Sequence, residues 1–297
     1  MVFVYICKYN KHSLHMTKKL FTLACLALFT LTLTAQDKIK GNKNITIIET
    51  EVAPFSKLTF GEDFNIQLKK SDVASVLIET DDNLHEVIDF KVIDSVLSFK
   101  TTKRITKSRK MVITVNYTQA LQDITLNDNA EIHAANTLNN FNLNLVVNDN
   151  AKAFLNVKNY SFKLTNNNRS KLKLYANCKL NIESQLVTLD LNEGSKTEAL
   201  IDCDSLHVDM YQRADAKIEG LTKHLKANNI NSTTFNGKNL RANTCQAIIE
   251  DGSNFAIEVT ENLILEASGR SDISLYGAPA IQLNTFSGEA VLRKKEL

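Results

Sequence analysis

A pattern of about twenty residues recurs from Ile124 to Leu275, and no other feature constrains the fold as tightly. Each unit carries two alternating apolar residues, a polar corner, a small residue, and two more alternating apolar positions. The small anchors are Ala130, Ala151, Ser170, Ser195, Ala214, Thr233, Ser253 and Ser271, spaced by 21, 19, 25, 19, 19, 20 and 18 residues. Six residues before each anchor stand Ile124, Leu145, Leu164, Leu189, Val208, Ala227, Ala247 and Leu265, all apolar. Two after stand Ile132, Ala153, Leu172, Thr197, Ala216, Phe235, Phe255 and Ile273; four after stand Ala134, Leu155, Leu174, Ala199, Ile218, Gly237, Ile257 and Leu275.

Alternation marks strands with one buried face. One unit has room for two or three short strands and cannot bury its own apolar face, so it must stack on its neighbours. The sequence therefore predicts an all-β fold, a single-stranded right-handed parallel β-helix (solenoid). Neighbouring anchors, such as Ala130 and Ala151, should lie about 5 Å apart. A large antiparallel sandwich is the competing architecture. Residues 45–117 alternate in the same way (ITIIE, KLTF, FNIQL, SVLIET, VLSFK, MVITVNY) and are expected to form the first, less regular coils, which cap the stack. The basic run Lys103–Lys110 reads as a solvated loop or edge guard.

Residues 16–36 read MTKKLFTLACLALFTLTLTAQ: two lysines, an apolar run from Leu20 to Leu33, and a small residue, Ala35, at the expected cleavage point. The run is short for a bilayer span. Residues 1–36 are accordingly expected to be an over-extended start, with Met16 the better initiator, plus a signal peptide. The β-helix domain is expected over 37–297, with no membrane span after cleavage. The formal net charge of +2 includes four lysines within those first 36 residues, leaving 31 basic against 33 acidic residues. An average so near neutrality gives no electrostatic reason to expect nucleic acid or an anionic membrane as partner.

Several segments together resemble the auto-transporter adhesin, head GIN domain family. They are Val52-x-x-Phe55-Ser56-x-Leu58, Phe64–Leu68, Val76–Leu84, Val96–Phe99, and Val115–Tyr117 running into Leu121, followed by the small-residue corner repeats. The resemblance covers residues 45–290. At its corners this chain often carries Asn or Asp where the family has glycine, and both enter the left-handed region more easily than other non-glycines. The resemblance implies a right-handed β-helix at or outside the cell envelope.

Two residues before each anchor stand Asp128, Asp149, Asn168, Glu193, Gln212, Asn231, Asp251 and Gly269. Stacked, they form a polar ladder along one edge, whose plain role is to satisfy turn backbones. The weak candidate for a ligand site is Asp128 and Asp149 with Asn127, Asn129, Asn148 and Asn150, an oxygen-rich set suited to calcium or a sugar. Arg169, Arg213 and Arg270 share the next column but not adjacent coils, which argues against the alternative of a β-helix polysaccharide lyase or hydrolase. His85, His133, His207 and His224 show no metal-ligand spacing, and no GxSxG, HExxH, CxxC or phosphate loop occurs. No metal or cofactor is expected. Cys178 and Cys203 each lie eight residues after an anchor, so a disulfide between adjacent coils is a possibility beside two reduced thiols. The expected function is a non-enzymatic, exported, adhesin-like or structural protein. Its partner would be a cell-surface protein or glycan, and homo-oligomers are possible.

Overall fold

The computed structural model describes residues 37–167 and 177–296. Strands dominate it, and they wind into a β-solenoid of about eight turns with repeats of about 19 residues. The regular rungs come from strands of fourteen to sixteen residues, including Lys152–Asn166, Asn177–Leu191, Lys196–Tyr211, Asp215–Ile230, Thr234–Ile249 and Asn254–Ala267. Each pairs in parallel with the next. The ladder between Lys196–Tyr211 and Asp215–Ile230 skips one residue on each strand, Asp204 and Lys223, so a rung is one strand bent once.

Between strands the chain turns at a tight corner. Asp128, Asp149, Glu193, Gln212, Asn231 and Asp251 all hold φ between 54° and 64°, in the left-handed region. Short polar side chains tolerate that conformation, which explains why this column is rich in Asn and Asp. The anchors lie directly behind the corner: Ala130, Ala151, Ser195, Ala214, Thr233, Ser253 and Ser271 are all buried. The anchor carbonyls bind the next rung, Lys152 N to Ala130 O at 2.9 Å, Thr234 N to Ala214 O at 3.0 Å and Asp272 N to Ser253 O at 3.0 Å. These neighbouring anchors therefore stack as expected.

The column six residues before the anchors is continuous. Leu58, Ile124, Leu145, Leu164, Leu189, Val208, Ala227, Ala247 and Leu265 are successive partners, and all are buried. The column two residues after differs in one rung. There Ala153 pairs with Cys178 and Cys178 with Thr197, so Cys178 stands where Leu172 was expected and Leu180 where Leu174 was expected. The six surplus residues fall in sequence between Asn166 and Asn177, and Ser170, Leu172 and Leu174 lie outside the described residues. Either register satisfies the local alternation. Placing the surplus before Asn177 keeps the whole ladder of Asn177–Leu191 unbroken, and each ladder hydrogen bond kept avoids an unpaired backbone group.

That shift corrects the expected disulfide geometry. Cys178 faces Thr197 while Cys203 faces Ser184, six positions further along the strand, about 20 Å away at about 3.3 Å per residue. A bridge needs Cα atoms within about 7 Å. Cys203 is a free thiol.

Residues 45–117 do not simply add coils in chain order. Lys57–Phe60 and Asn65–Lys70 form a rung that lies between two others. On one side it pairs with Asp123–Leu126 and Glu131–Ala134, on the other with Val96–Thr101 and Met111–Tyr117. Beyond that, the strands turn antiparallel: Ser75–Asp81 on Met111–Tyr117, Ile45–Glu51 on Ser75–Asp81, and Ile88–Ile93 on Val96–Thr101. A strand's alternation is the same whichever way its partner runs, so the sequence pattern carried no sign of the reversal. Asp81 pins this cap. Its solvent-shielded carboxylate accepts the backbone N–H of Arg109 at 2.7 Å and that of Lys43. Burial pushes this carboxyl up, but the N–H groups of Arg109 and Lys43 more than reverse the effect and hold its pKa below 3.8.

At the other end, Ala280–Phe286 and Val291–Lys294 each pair on one side only among the described residues. Leu283 continues the column of Leu265 but is 48% exposed, for lack of a rung above it.

Burial within that one column sets the first prediction. Leu189→Ala should destabilise the protein by about 2–5 kcal/mol and Leu283→Ala by less than about 1 kcal/mol, measured by denaturant unfolding. A second concerns acid. The Asp81 contribution is present above pH 3.8, where an unfolded carboxylate is already ionised, and is lost as pH falls below it through the lower folded value. Thermal melts of the wild type should drop across that window. Asp81→Asn should lower Tm at neutral pH and flatten the drop.

Candidate functional site

The six corner residues singled out by sequence come together, and each has a defined partner. Asn148 Nδ2 donates to Asn127 Oδ1 at 2.9 Å, Asn167 Nδ2 to Asn148 Oδ1 at 3.1 Å, and Asn192 Nδ2 to Asn167 Oδ1 at 2.9 Å. In-register stacking places each amide donor opposite the acceptor of the rung before, so one asparagine per rung builds a chain of hydrogen bonds. On the other side of the corner residue, Asn150 Nδ2 donates to Asn129 Oδ1 and Asn129 Nδ2 to Asp63 Oδ1, both at 2.9 Å. Asp128 Oδ2 accepts the N–H of Glu62 at 2.9 Å, and Asp149 Oδ2 accepts that of Asp128 at 3.3 Å. These oxygens serve the turns. Among the described residues no cluster of His, Cys, Asp or Glu could hold a metal ion.

The histidines are dispersed. His133 is stacked on Phe154 at 4.8 Å and bonded to Glu131; His207 meets Asp209, His224 meets Thr244, and His85 meets Thr46. Each has a local partner on its own or the next rung.

Sequence reasoning missed the bend on the far edge of the rung. Outward positions of a solvated strand are normally polar, yet exposed apolar side chains collect there on five successive rungs. Phe141 and Tyr160 stack face to face with centroids 5.0 Å apart and planes 1° apart, and they are 69% and 43% exposed. Leu186, Leu200 and Leu221 follow on the next three rungs, 44%, 54% and 53% exposed. Four steps of about 4.8 Å spread this strip over about 20 Å, with Leu200 and Leu221 four and two positions before the bend, in columns they share with Asn156, Lys158, Glu183, Asp202 and Glu219. Beside it runs an open groove of about 600 Å³ bordered by Val157, Ile182, Leu200, Ile201 and Leu221 together with Lys158, Glu183 and Asp202. Gly220 shapes the groove: it holds φ +115°, and a Cβ there would sit 2.1 Å from the Ile201 carbonyl oxygen. The apolar residues stand in different outward columns within a few residues of the bend, so no single repeat column collects them.

The thiols are not part of a reactive site. Burial pushes Cys203 up to about 11, aided by the charges of Asp202 and Asp204 against the hydrogen bond of Thr222, and burial alone pushes Cys245 up to about 12. Neither should react with a thiol alkylator in the native protein at neutral pH. After unfolding without reductant, the chain 37–297 should label at all three of its cysteines, counted by mass spectrometry; one labelled cysteine would restore the bridge.

Comparison with known proteins follows the same lines. The chain matches the family described as "Putative auto-transporter adhesin, head GIN domain" over residues 54–180 and again over 173–279. Among solved structures it is similar to a putative adhesin from Parabacteroides merdae, 16% identical, covering 87% of this chain and 99% of that one with a TM-score of 0.62. A putative adhesin from Parabacteroides distasonis is 18% identical over 88% and 100%, with a TM-score of 0.63. A putative lipid binding protein from the same organism is 14% identical over 87% and 100%, with a TM-score of 0.59. At these identities the likeness is one of fold. No curated protein matches the sequence. The two family matches span most of the chain and the fold agrees with them: this chain belongs to the putative auto-transporter adhesin, head GIN domain family.

Proposed function

We propose that this chain is an exported, non-enzymatic, adhesin-like module of the cell envelope that holds a cell-surface protein against the side of its solenoid. The observation that carries the reading is the apolar strip from Phe141 to Leu221 with its neighbouring groove. Exposed apolar residues gathered on one edge mark interaction surfaces, whereas the same residues scattered singly need no explanation. Three leucines beside an aromatic pair suit the apolar anchors of a protein better than the hydroxyls of a glycan. The apolar segment Leu20–Leu33 supports export. Among the described residues no helix is long and apolar enough to cross a membrane.

A non-enzymatic role is supported by where the charges stand. Cleaving a glycosidic or uronic linkage needs two groups converging on one substrate atom. Asp128 and Asp149, acidic neighbours along the corner, direct a carboxylate oxygen at a turn N–H instead.

The test is binding of the chain 37–297 to envelope-exposed proteins of cells sharing its niche, compared with a glycan array. Phe141→Ala and Leu221→Lys should each weaken binding at least about tenfold while leaving the unfolding midpoint within error. Capture by glycans alone would replace the protein partner. Binding indifferent to both substitutions would remove the strip from the mechanism. Polysaccharide turnover abolished by Asp149→Ala would make the protein an enzyme.

A further inference from the structure

Averaged over residues 37–297 the charge is near zero, but the fold does not distribute it evenly. Residues 39–44 and 103–110 hold seven cations and no acid, leaving 24 cations against 33 acids on the remainder. The fold brings these two basic segments together. The short strand ending at Lys40 pairs with Arg104–Lys107, Gly41 N donates to Lys107 O at 2.8 Å, and Thr106 Oγ1 donates to Ile39 O at 2.9 Å. Asp81 reaches between them to take the N–H groups of Lys43 and Arg109. Gly41 packs so closely on that carboxylate that a Cβ would meet it at 2.6 Å. A shielded carboxylate thus holds two like-charged segments in one place, and its own oxygens are occupied by backbone.

The solenoid flank handles its cations differently. There lysines meet carboxylates across neighbouring rungs: Lys57 with Asp123, Lys152 with Glu131, Lys158 with Glu183, and Lys163 with Asp190. In the basic ribbon only Lys110 has such a partner, Glu79. Lys40, Lys43, Lys103, Arg104, Lys107 and Arg109 are exposed, and among the described residues none has a carboxylate within ion-pair distance. Lys40, Lys43, Lys107 and Arg109 border a cavity of about 370 Å³. Two residues after Lys43 begins the strand Ile45–Glu51, which among the described residues pairs on one side only; Ile45 and Ile47, 37% and 62% exposed, share one of its faces, and Ile48, 47% exposed, lies on the other.

We propose that this ribbon is a docking surface for an anionic lipid bilayer, with its cations on headgroup phosphates and Ile45 and Ile47, on one face of the adjoining strand, entering the interfacial zone. Clustered Lys and Arg gain about 1 kcal/mol each near an anionic leaflet, and exposed aliphatic residues beside them add apolar partition. A soluble polyanion would use the cations and leave the isoleucines in water, so the pairing of the two favours a lipid surface. The contact is peripheral and separate from the apolar strip at the bend, so either can fail without the other.

The experiment is flotation of the chain 37–297, which retains every residue of the hydrophobic core, with phosphatidylcholine vesicles lacking or containing phosphatidylglycerol. The protein should float only with the anionic vesicles, and rising salt should release it. Lys40→Glu combined with Lys107→Glu should lower partition by more than about thirtyfold, and Arg104→Glu serves as an independent second variant. Ile47→Ser should lower partition without changing the salt dependence, and Lys226→Glu on the solenoid flank should have no effect. Circular dichroism checks that each variant keeps its strands. Three outcomes would overturn the proposal. They are no flotation with anionic vesicles, equal flotation with both, or heparin binding at the same site with partition unaffected by Ile47→Ser.

Discussion

The in-register parallel ladder between rungs is the interaction on which the rest of this structure depends. A single rung has no partner for its own N–H and C=O groups and no way to bury its apolar face, so both needs are met only by the rung on either side. In-register pairing then forces like positions on top of one another. Small anchors stack behind the corner, leucines stack in the core, and asparagines at the corner meet head to tail with amide against carbonyl. The same rule places lysine over acid along the flank. It also keeps Cys178 and Cys203 apart, since two residues can meet only if the ladder counts them as equivalent.

How much was legible in the sequence follows from that rule. Columns that repeat on every rung were readable, because eight weak signals at one spacing reinforce each other; the Ile124 to Leu265 column and the buried anchors are examples. The single rung carrying six surplus residues was misread because Leu172 and Leu174 alternate as convincingly as Cys178 and Leu180. Only the continuity of fourteen ladder pairs distinguishes the two registers. The cap was misread for a related reason. Ser75–Asp81 and Ile45–Glu51 alternate like solenoid strands yet run antiparallel, and they leave the rung of Lys57–Lys70 wedged between segments distant in sequence. The corner candidates were found as a group, but their chemistry was set by hydrogen bonds that composition cannot show. The bend strip escaped because it is not periodic; of the basic ribbon the run Lys103–Lys110 was visible, but its pairing with residues 39–44 was not.

Those two aperiodic features are where function is to be sought in a protein of this kind. A solenoid flank largely saturates itself: its backbone is paired, many of its charges are matched rung to rung, and its corner amides bond to each other. Groups left over after that saturation have no structural reason to be where they are. Exposed Phe141, Tyr160, Leu186, Leu200 and Leu221 weaken solubility without supporting the core, and clustered Lys40, Lys43, Lys107 and Arg109 repel each other. Both departures cost stability that a partner would offset. The two surfaces also differ in kind, one apolar on the side of the regular stack, the other cationic within the irregular cap.

The central claim is that residues equivalent in the ladder rise by one strand spacing per rung, whatever their separation in sequence. Spin labels on solvent-facing residues of one outward column, exposed or half-buried, read this directly, with one label fixed at Asn144 and the second moved through Lys163, Thr188, His207, Lys226 and Gln246, the successive partners. Dipolar distances should grow by about 4.8 Å per step, and the step from Lys163 to Thr188, which crosses 25 residues, should equal the steps that cross 19. An extra or missing increment at Lys163–Thr188, or distances that fail to grow in equal steps, would contradict the stacked-rung account and with it the placement of every surface described above.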